Sequence, residues 1–418
     1  MTDSPSVLVV EPTSSGYALI TAARQLGMRT VVASRDDGDR TIPAEFRGVI
    51  DTVLEVETND EDALTAAVTE LHARQPLSAV LPGFEFYVDS AARIAARLGL
   101  PGLPAATVTA LRDKTAMRRQ ASAAGLRVPR FAIVTGEREL DDAAATVGFP
   151  LVVKPASACG SVHVSRCDDL GRLHAAYRAM QGDPRTDMGR GLGATALVEE
   201  YVPGPEISAE GYVSDGVVTV VAITAKLLGP EPYFVETGHI VQADLDPRTR
   251  AAVDAYVAEV CHGLGVTLGS FHCELRIPGG EPVLIEIGAR LPGDHIVDLV
   301  NLVTGVSLPR IMMAAHAGLD LATAAPPAAP RAKAAGIGFF TAPGARTRPQ
   351  LGDLSAAREA ADVIAIEEYP DEGEPDQAED FRSRYGHVIF TADSETAARQ
   401  RWDQLRALLA GEAGAGLG

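Results

Sequence analysis

The sequence is poor in cysteine and contains no long apolar run. Its four cysteines, among 418 residues, include no CxxC pair and no spacing with histidine that is typical of a metal finger. We therefore expect reduced thiols without a metal role. No apolar stretch reaches the length of a membrane span, and no basic segment of a signal peptide precedes the first apolar run. These absences predict a cytoplasmic protein with no membrane partner.

Positive charge is also scarce. The chain has 37 Lys and Arg against 56 Asp and Glu, which gives a formal net charge of −19. This balance argues against general binding to nucleic acid or to an anionic membrane surface, because both require a positive surface. A locally positive pocket for phosphate groups remains compatible with it. The length exceeds what a single hydrophobic core supports, so several domains are expected.

Two common phosphate-binding motifs are missing. The first loop, EPTSSG (11–16), lacks the GxGxxG spacing of a dinucleotide site, and no GxxxxGK[ST] occurs in the chain. Apolar strand-like runs occur at 7–10, 30–34 and 78–82, and an amphipathic helix pattern at 17–27 follows the first of them. This alternation predicts an N-terminal Rossmann-like parallel α/β domain.

The remaining chain favours antiparallel hairpins. One helix is predicted over 107–125, and the SDG at 214–216 predicts a tight hairpin turn. The Pro/Ala-rich stretch 322–335 reads as a linker, and all candidate site residues precede it. The predicted division is an α/β domain, two central subdomains, a linker and a C-terminal α+β part: 1–106, 107–193, 194–321, 322–335 and 336–411.

The first candidate for phosphate contact is PLVVKPASACGSVHV (150–164). A buried strand delivers Lys154 at its end, and a loop of small residues that includes Ser161 follows. A lysine at a strand end is often only a surface charge, and a small-residue loop is often only a turn. Their combination after an apolar strand favours contact with an anion through the lysine and backbone N–H groups.

The second candidate is TALVEEYVPGPEISAEGYV (195–213). Glu199 and Glu200 interrupt an apolar strand, and prolines bend the chain before Glu206. An extended segment with free backbone groups can contact an adenine edge, and a carboxylate can accept ribose hydroxyls. The alternative is an edge strand with solvated carboxylates.

The third candidate is ELRIPGGEPVLIEIGAR (274–290). A Pro-Gly-Gly turn separates two flanks that alternate at the period of a strand, with only Leu284 out of pattern. Glu274 and Glu286 should then lie directly across from each other, about 4.5–5.5 Å apart at Cβ. Two carboxylates this close repel by about 3–4 kcal/mol at an effective dielectric near 20. A positive group is therefore expected between them.

These stretches, in this order and together with Lys114 in RDKTAM, resemble the ATP-grasp superfamily over residues 1–320. Within it, ETGHIVQ (236–242) and EIGAR in place of the more widespread ExNxR resemble the L-amino acid ligases, which join amino acids into dipeptides. The resemblance implies an ATP-grasp fold, with a small subdomain at 107–193 that carries the phosphate loop and a large subdomain at 194–321 that carries the metal site. It also suggests a homodimer.

The resemblance assigns seven residues to ATP. Lys114 and Lys154 hold the phosphates, and Ser161 belongs to the loop that folds over them. Adenine is faced by Glu199, Glu200 and Val202. Glu206 faces the ribose.

The resemblance also assigns the metal and the reacting groups. Glu274 and Glu286 would hold Mg²⁺, with Mn²⁺ as the alternative ion, and Arg290 would stabilise charge on an acyl phosphate. Gly288 departs from the asparagine that completes the metal shell in many superfamily members, so another ligand must replace it. We interpret this glycine as a mark of the dipeptide-forming subfamily.

Three further residues have competing interpretations. By resemblance Glu236 and His239 line the amino-acid site, where the carboxylate binds a substrate ammonium and the imidazole contacts phosphate or takes up a proton. A purely structural histidine is the alternative. Asp294 either selects a substrate side chain or caps the helix that follows.

The expected reaction is an ATP-dependent amide synthesis between two amino acids or amino-acid-like substrates through an acyl phosphate, with release of ADP and phosphate. Two alternatives remain open. One is an ATP-grasp enzyme with other substrates, such as a carboxylase or a purine-pathway ligase, and the other is a non-catalytic nucleotide-binding regulator.

Overall fold

Three β-sheets organise the protein. The structure, a computed structural model, describes residues 4–341, 351–352, 354–369 and 380–409. The first sheet has four parallel strands, the second has four antiparallel strands, and the third has eight antiparallel strands. The predicted order, a parallel α/β part followed by antiparallel parts, is confirmed.

The N-terminal sheet has the strand order β3-β2-β1-β4. Its two central strands are apolar on both faces because helices cover both sides, as in other parallel sheets. Its strands are β1 (Ser6–Val10), β2 (Arg29–Ser34), β3 (Thr52–Glu55) and β4 (Leu77–Pro82). Its helices are α1 (Tyr17–Gln25), α2 (Ala44–Arg47), α3 (Glu61–Arg74) and α4 (Val88–Leu98).

The second sheet follows a helix that is shorter than predicted. The pattern at 107–125 divides into a 3₁₀ turn at Val108–Leu111 and a helix that begins at Lys114, because Asp113 caps it by accepting from the N–H of Ala116. The helices are α5 (Lys114–Ala123), α6 (Leu140–Val147) and α7 (Leu170–Gly182). The strands are β5 (Phe131–Val134), β6 (Leu151–Pro155), β7 (Ser165–Cys167) and β8 (Ala196–Glu200), in the order β5-β8-β6-β7.

The third sheet has the order β13-β12-β9-β10-β11-β14-β16-β15. Its first hairpin turns at Asp215 and Gly216, which have φ of 52° and 75°, as the SDG motif predicts. The strands are β9 (Glu206–Ser214), β10 (Val217–Leu228), β11 (Glu236–Val241), β12 (Gly269–Arg276), β13 (Val283–Gly288), β14 (Ala334–Thr341), β15 (Val363–Glu368) and β16 (Arg384–Ala392). The helices are α8 (Pro247–Leu264), α9 (Ile296–Thr304), α10 (Leu308–His316), α11 (Leu321–Ala324), α12 (Ser355–Arg358) and α13 (Glu395–Leu409).

The C-terminal strands continue this same sheet. β14 begins at the end of the stretch predicted as a linker and pairs with β11, with His239 opposite Ile337. β16 then pairs with β14. The predicted C-terminal part 336–411 therefore extends the central sheet at its described residues, and the rest of that part lies outside them.

A shared apolar core fixes the N-terminal sheet to the eight-stranded sheet. Side chains of β1, α1 and β4 pack with those of α9, α10, β11 and β14. Within the described chain no single helix is long and apolar enough to cross a membrane, and α9 and α10 pass that test only as a pair bent by 102°. Both helices belong to this shared core.

A buried histidine in α10 predicts a loss of stability in acid. His316 donates from Nδ1 to the carbonyl of Met312 (2.9 Å), and burial lowers its pKa to about 4. The imidazole has a pKa near 6.5 in the unfolded state. Between the two pKa values the unfolded state therefore binds a proton at this histidine and the folded state does not. The free energy of unfolding should fall by about 2 kcal/mol through this group between pH 7 and pH 5.

Urea unfolding at the two pH values measures this slope. His316→Gln should remove that part of the pH dependence. The matched variant His262→Gln should leave it unchanged, because His262 is exposed to water when folded. Equal slopes in the protein and in His316→Gln would contradict the assignment.

Candidate active site

One cavity of about 550 Å³ is lined by residues of all three sheets. Its walls come from the loops after β1 and β4, the loop after β6, and strands of the eight-stranded sheet. The structure places every predicted site residue on its lining: Lys114, Lys154, Ser161, Glu199, Glu200, Val202, Glu206, Glu236, His239, Glu274, Glu286, Arg290 and Asp294. The predicted residues, which lie up to 180 positions apart in the sequence, thus line one cavity.

The two opposed glutamates lie where the sequence pattern predicts them. Glu274 and Glu286 are direct partners in the antiparallel pairing of β12 and β13. The turn between the strands contains Gly279 at φ 62°, a left-handed conformation that glycine adopts without strain. A β-bulge follows the pair, so Leu284 turns into the core, and this explains the interrupted alternation.

Two buried lysines supply the positive charge expected between these glutamates. Lys226 Nζ lies 2.7 Å from Glu274 Oε1, and Lys114 Nζ lies 2.7 Å from Glu286 Oε1. The sequence identified Lys114 but missed Lys226. Its only signal is a lone lysine in the otherwise apolar strand β10.

Lys226 connects two regions of the cavity. Besides Glu274, its Nζ lies 2.6 Å from Glu236 Oε1 and 3.3 Å from Glu206 Oε1. Burial alone would lower the pKa of Lys226, but the three carboxylates hold it well above its usual range. The side chain therefore remains an ammonium group that holds three carboxylates together.

Glu274 is also held by a histidine. His272 Nε2 lies 3.0 Å from Glu274 Oε1, and its Nδ1 lies 2.9 Å from the buried Glu210 Oε2. Burial alone would lower the pKa of His272, but these carboxylates raise it to about 10. Burial would likewise raise the pKa of Glu274, but Lys226 and His272 hold it well below its usual range. The carboxylate of Glu274 is therefore ionised at neutral pH.

Glu199 makes ion pairs that the sequence did not predict. Its buried carboxylate accepts from Arg118 Nε, and its second oxygen lies 2.6 Å from Lys154 Nζ. A carboxylate held by two buried cations orients those cations, so Glu199 fixes Lys154 at the end of β6. Both oxygens of the Glu199 carboxylate are therefore already engaged by these two cations.

The stretch after Glu199 is also partly engaged. The Glu200 carboxylate accepts from Arg130 Nε (3.1 Å), and the Glu200 N–H donates to the Arg130 carbonyl (2.8 Å). The Val202 carbonyl accepts from Arg276 Nη1 (2.9 Å), and Arg276 Nε donates to Glu206 (2.9 Å). The sequence suggested free backbone groups in this stretch. Two of these groups, the Glu200 N–H and the Val202 carbonyl, are already hydrogen-bonded.

The loop after β6 makes a tight turn beside the lysines. Gly160 and Ser161 have φ of 63° and 59°. A positive φ at a residue other than glycine, as at Ser161, is uncommon and concentrates at ligand sites. Lys114 Nζ donates to the Ala158 carbonyl (2.6 Å), which ties the loop to the glutamate pair.

Arg290 is paired with a glutamate from the N-terminal sheet. Its Nε donates to the buried Glu85, and its Nη1 donates to the Leu291 carbonyl (2.8 Å). A Cβ added at Gly288 would lie 3.2 Å from Glu85 Oε2, a tight contact. The Glu85–Arg290 pair thus occupies space that an asparagine at position 288 would need.

A cluster of acids and a histidine lies farther along the cavity. His239 Nε2 is 2.9 Å from Asp294 Oδ2 and 3.7 Å from Glu236 Oε2. Asp294 does not cap the following helix, because α9 begins at Ile296 and its N-cap residue is His295, whose side chain makes no capping hydrogen bond. The side-chain N and O atoms of Glu236, His239 and Asp294 lie within 4.8 Å of one another, a spacing that is compatible with a metal ion. The two carboxylates already contact buried cations, however, since Glu236 pairs with Lys226 and Asp294 with Arg384.

The expectation that the site ends before residue 322 is wrong. Tyr369, Phe381, Arg382 and Arg384 also line the cavity. Arg384 Nη1 donates to Asp294 Oδ1 (2.9 Å) across 90 positions of sequence. A contact at this separation leaves no local pattern in the sequence.

Two ATP-grasp families match the chain. The ATP-grasp domain matches residues 147–298, and the ATP-grasp N-terminal domain matches residues 20–102. The protein is similar to the L-amino acid ligase from Bacillus licheniformis, with a TM-score of 0.81, 23% identity and coverage of 98% of each chain. This likeness establishes the fold.

Relatives by sequence are about one quarter identical to the chain over the aligned residues. It is 27% identical to the uncharacterized protein y4rH of Sinorhizobium fredii over 94% of this chain and 79% of that protein. It is 28% identical to carnosine synthase 1 of Gallus gallus and 24% identical to alanine–anticapsin ligase of Bacillus subtilis, over 76% and 60% of this chain. The chain spans 35% and 57% of those two relatives, less than two thirds of each. With both family matches and the shared fold, the chain belongs to the ATP-grasp family of ATP-dependent ligases.

Proposed function

We propose that the protein is an ATP-dependent carboxylate–amine ligase that joins two amino acids, or amino-acid-like substrates, through an acyl phosphate. The observation that carries this proposal is the pair of opposed glutamates, held by buried lysines, in the same cavity as Arg290 and the Glu236–His239–Asp294 cluster. The glutamate pair with its lysines suits the phosphates of a nucleotide and their metal ion. The Glu236–His239–Asp294 cluster suits an amine. The names of the L-amino acid ligase and the alanine–anticapsin ligase support the same substrate class.

The charge of the cavity favours a divalent cation. Among the described residues, its lining has nine carboxylates against seven Lys or Arg side chains and the protonated His272. The acids are Glu85, Asp187, Glu199, Glu200, Glu206, Glu236, Glu274, Glu286 and Asp294. The bases are Lys114, Lys154, Lys226, Arg276, Arg290, Arg382 and Arg384. A triphosphate adds more negative charge, so additional positive charge must accompany it.

The glutamate pair fits Mg²⁺. Glu274 and Glu286 offer the hard oxygen ligands that this ion prefers, and each already holds a positive group at 2.7 Å. When bound, Mg²⁺ would neutralise charge on the phosphates during transfer. Mn²⁺ suits the same oxygen ligands.

The nucleotide would lie between the second sheet and the eight-stranded sheet. Lys114 and Lys154 bind the phosphates, and the loop around Ser161 covers them and excludes water. The backbone of residues 200–202 borders adenine, and Glu206 borders ribose. Glu199 contributes indirectly because it holds Lys154 in place.

The reaction has two steps. An oxygen of one substrate's carboxylate attacks the γ-phosphorus of ATP, the bond to the β-phosphate oxygen breaks, and ADP leaves. The amine nitrogen of the second substrate then attacks the acyl carbon, the bond to the phosphate oxygen breaks, and phosphate leaves. Arg290 stabilises the negative charge on the acyl phosphate and on the tetrahedral intermediate.

The amine must lose protons as it attacks. Glu236 and Asp294 are ionised, because Lys226 lowers the pKa of the former and Arg384 that of the latter, each against the effect of burial. Glu236 binds the substrate ammonium, His239 accepts its first proton, and the departing phosphate carries away the second. These three residues therefore form the amine side of the site.

Product analysis tests the proposed activity directly. With Mg-ATP and pools of amino acids, we expect phosphate release that requires two amino acids and a dipeptide-type product in mass spectrometry. Chelation of divalent ions should abolish the release. Release with bicarbonate alone would identify a carboxylase instead, and nucleotide binding without release would identify a regulator.

The metal-binding role of the glutamate pair predicts the effect of one substitution. Glu286→Gln should lower kcat by about 100-fold or more, because a neutral amide cannot replace the carboxylate at a divalent ion. The control Glu281→Gln lies in the same hairpin, where Glu281 pairs with Arg127 with about half of each side chain exposed. Steady-state phosphate release measures both, and a Glu286→Gln variant within about threefold of the unsubstituted protein would contradict the role.

The position of Asp294 predicts an effect on substrate choice. Asp294→Ala should change the relative kcat/KM for different amino acids by about tenfold or more, since it removes the carboxylate that faces them. Asp298→Ala is the control, because Asp298 is an exposed residue of the first turn of α9. A profile that Asp294→Ala leaves unchanged would refute the selectivity role.

A further inference from the structure

The segment Asp380–Arg384 borders the cavity beside the cluster of Glu236, His239 and Asp294, called the amine cluster below. Arg384 is the first residue of β16, and its side chain is 7% exposed. Its Nη1 donates to Asp294 Oδ1 (2.9 Å), and its Nη2 donates to the Glu236 carbonyl (3.1 Å) and lies 3.4 Å from Glu236 Oε2. One guanidinium thus holds both acids that flank His239.

The surroundings of Arg384 fix its orientation. The centre of its guanidinium lies 3.7 Å above the ring of Phe339 in β14. The planar group can therefore stack on the ring while its N–H fork reaches the two acids, which a lysine ammonium cannot do in the same geometry. Asp294 is held in turn at φ 54°, an uncommon conformation for a residue other than glycine.

The same segment contacts the phosphate loop. Phe381 packs against Gly160 so closely that a Cβ at position 160 would lie 2.5 Å from its ring. Arg382 Nη1 lies 3.3 Å from Oδ2 of Asp183, the residue that follows α7 beside the second sheet. The segment therefore spans the cavity from the phosphate loop to the amine cluster.

We propose that Asp380–Arg384 forms the wall of the acceptor-amine site and that Arg384 is a positioning residue, which holds Asp294 and Glu236 around His239 for the second step of the reaction. This inference rests on the proposed ligase function. Arg384 acts on the amine side and leaves phosphoryl transfer to the first substrate unaffected. Its loss should separate the two steps.

Hydroxylamine provides the test, because this small nucleophile traps an acyl phosphate as a hydroxamate without an ordered amino-acid acceptor. In Arg384→Ala, dipeptide formation should fall by about 100-fold, while ATP-dependent hydroxamate formation should stay within about threefold of the unsubstituted protein. The KM for ATP should not change. Arg384→Lys should recover part of the dipeptide activity, since it restores charge without the planar fork.

Arg401→Ala is the matched control. Arg401 makes a two-pronged pair with Asp362 in the same C-terminal region and does not line the cavity. This variant should retain both activities. Equal losses of dipeptide and hydroxamate in Arg384→Ala, or no loss of either, would overturn the positioning role.

Two further results keep the outcomes distinct. Thermal unfolding shows whether Arg384→Ala folds. If it does not, the test relies on Arg384→Lys, and an equal effect of that substitution on dipeptide and hydroxamate formation would reject the inference. If the unsubstituted protein forms neither hydroxamate nor dipeptide, the proposed function fails first.

Discussion

The site depends on the mutual compensation of buried charges. Glu274 and Glu286 face each other across one pair of strands, and each holds a lysine ammonium at 2.7 Å. A buried carboxylate without a partner would take up a proton, because desolvation disfavours its charged form. Lys226 and His272 keep Glu274 ionised against the effect of burial, and only an ionised acid can accept a divalent cation. The same arrangement therefore stabilises the cavity, and it would suit the metal and the nucleotide of the proposed function.

Apolar packing sets the positions of these charges. The core shared by β1, α1, α9 and α10 fixes the N-terminal sheet against the eight-stranded sheet, so that Glu85 reaches Arg290. The cavity is thus closed by three parts of the chain that the sequence pattern presents as separate. Side chains supported by three sheets are held more rigidly than side chains on free loops.

The sequence predicted the elements near the site well where the signal is local. The alternation around Pro278–Gly280 placed Glu274 opposite Glu286, and the SDG motif placed a hairpin turn. It failed where side chains meet across distant segments. Lys226 appeared only as a lone charge in β10, the pairing of Glu199 with Arg118 and Lys154 was not predicted, and Arg384 gave no signal.

The sequence by itself determined the first parallel strands, the hairpin turn at the SDG motif and the register that sets Glu274 opposite Glu286, since these depend on the period of apolar positions and on turn residues within a few positions. Only the tertiary structure decided which charges are paired. Coulomb energy depends on distance in space and on burial, and neither follows from position along the chain. For that reason His239, Asp294 and Arg384 form one cluster only after β11, α9 and β16 have packed together.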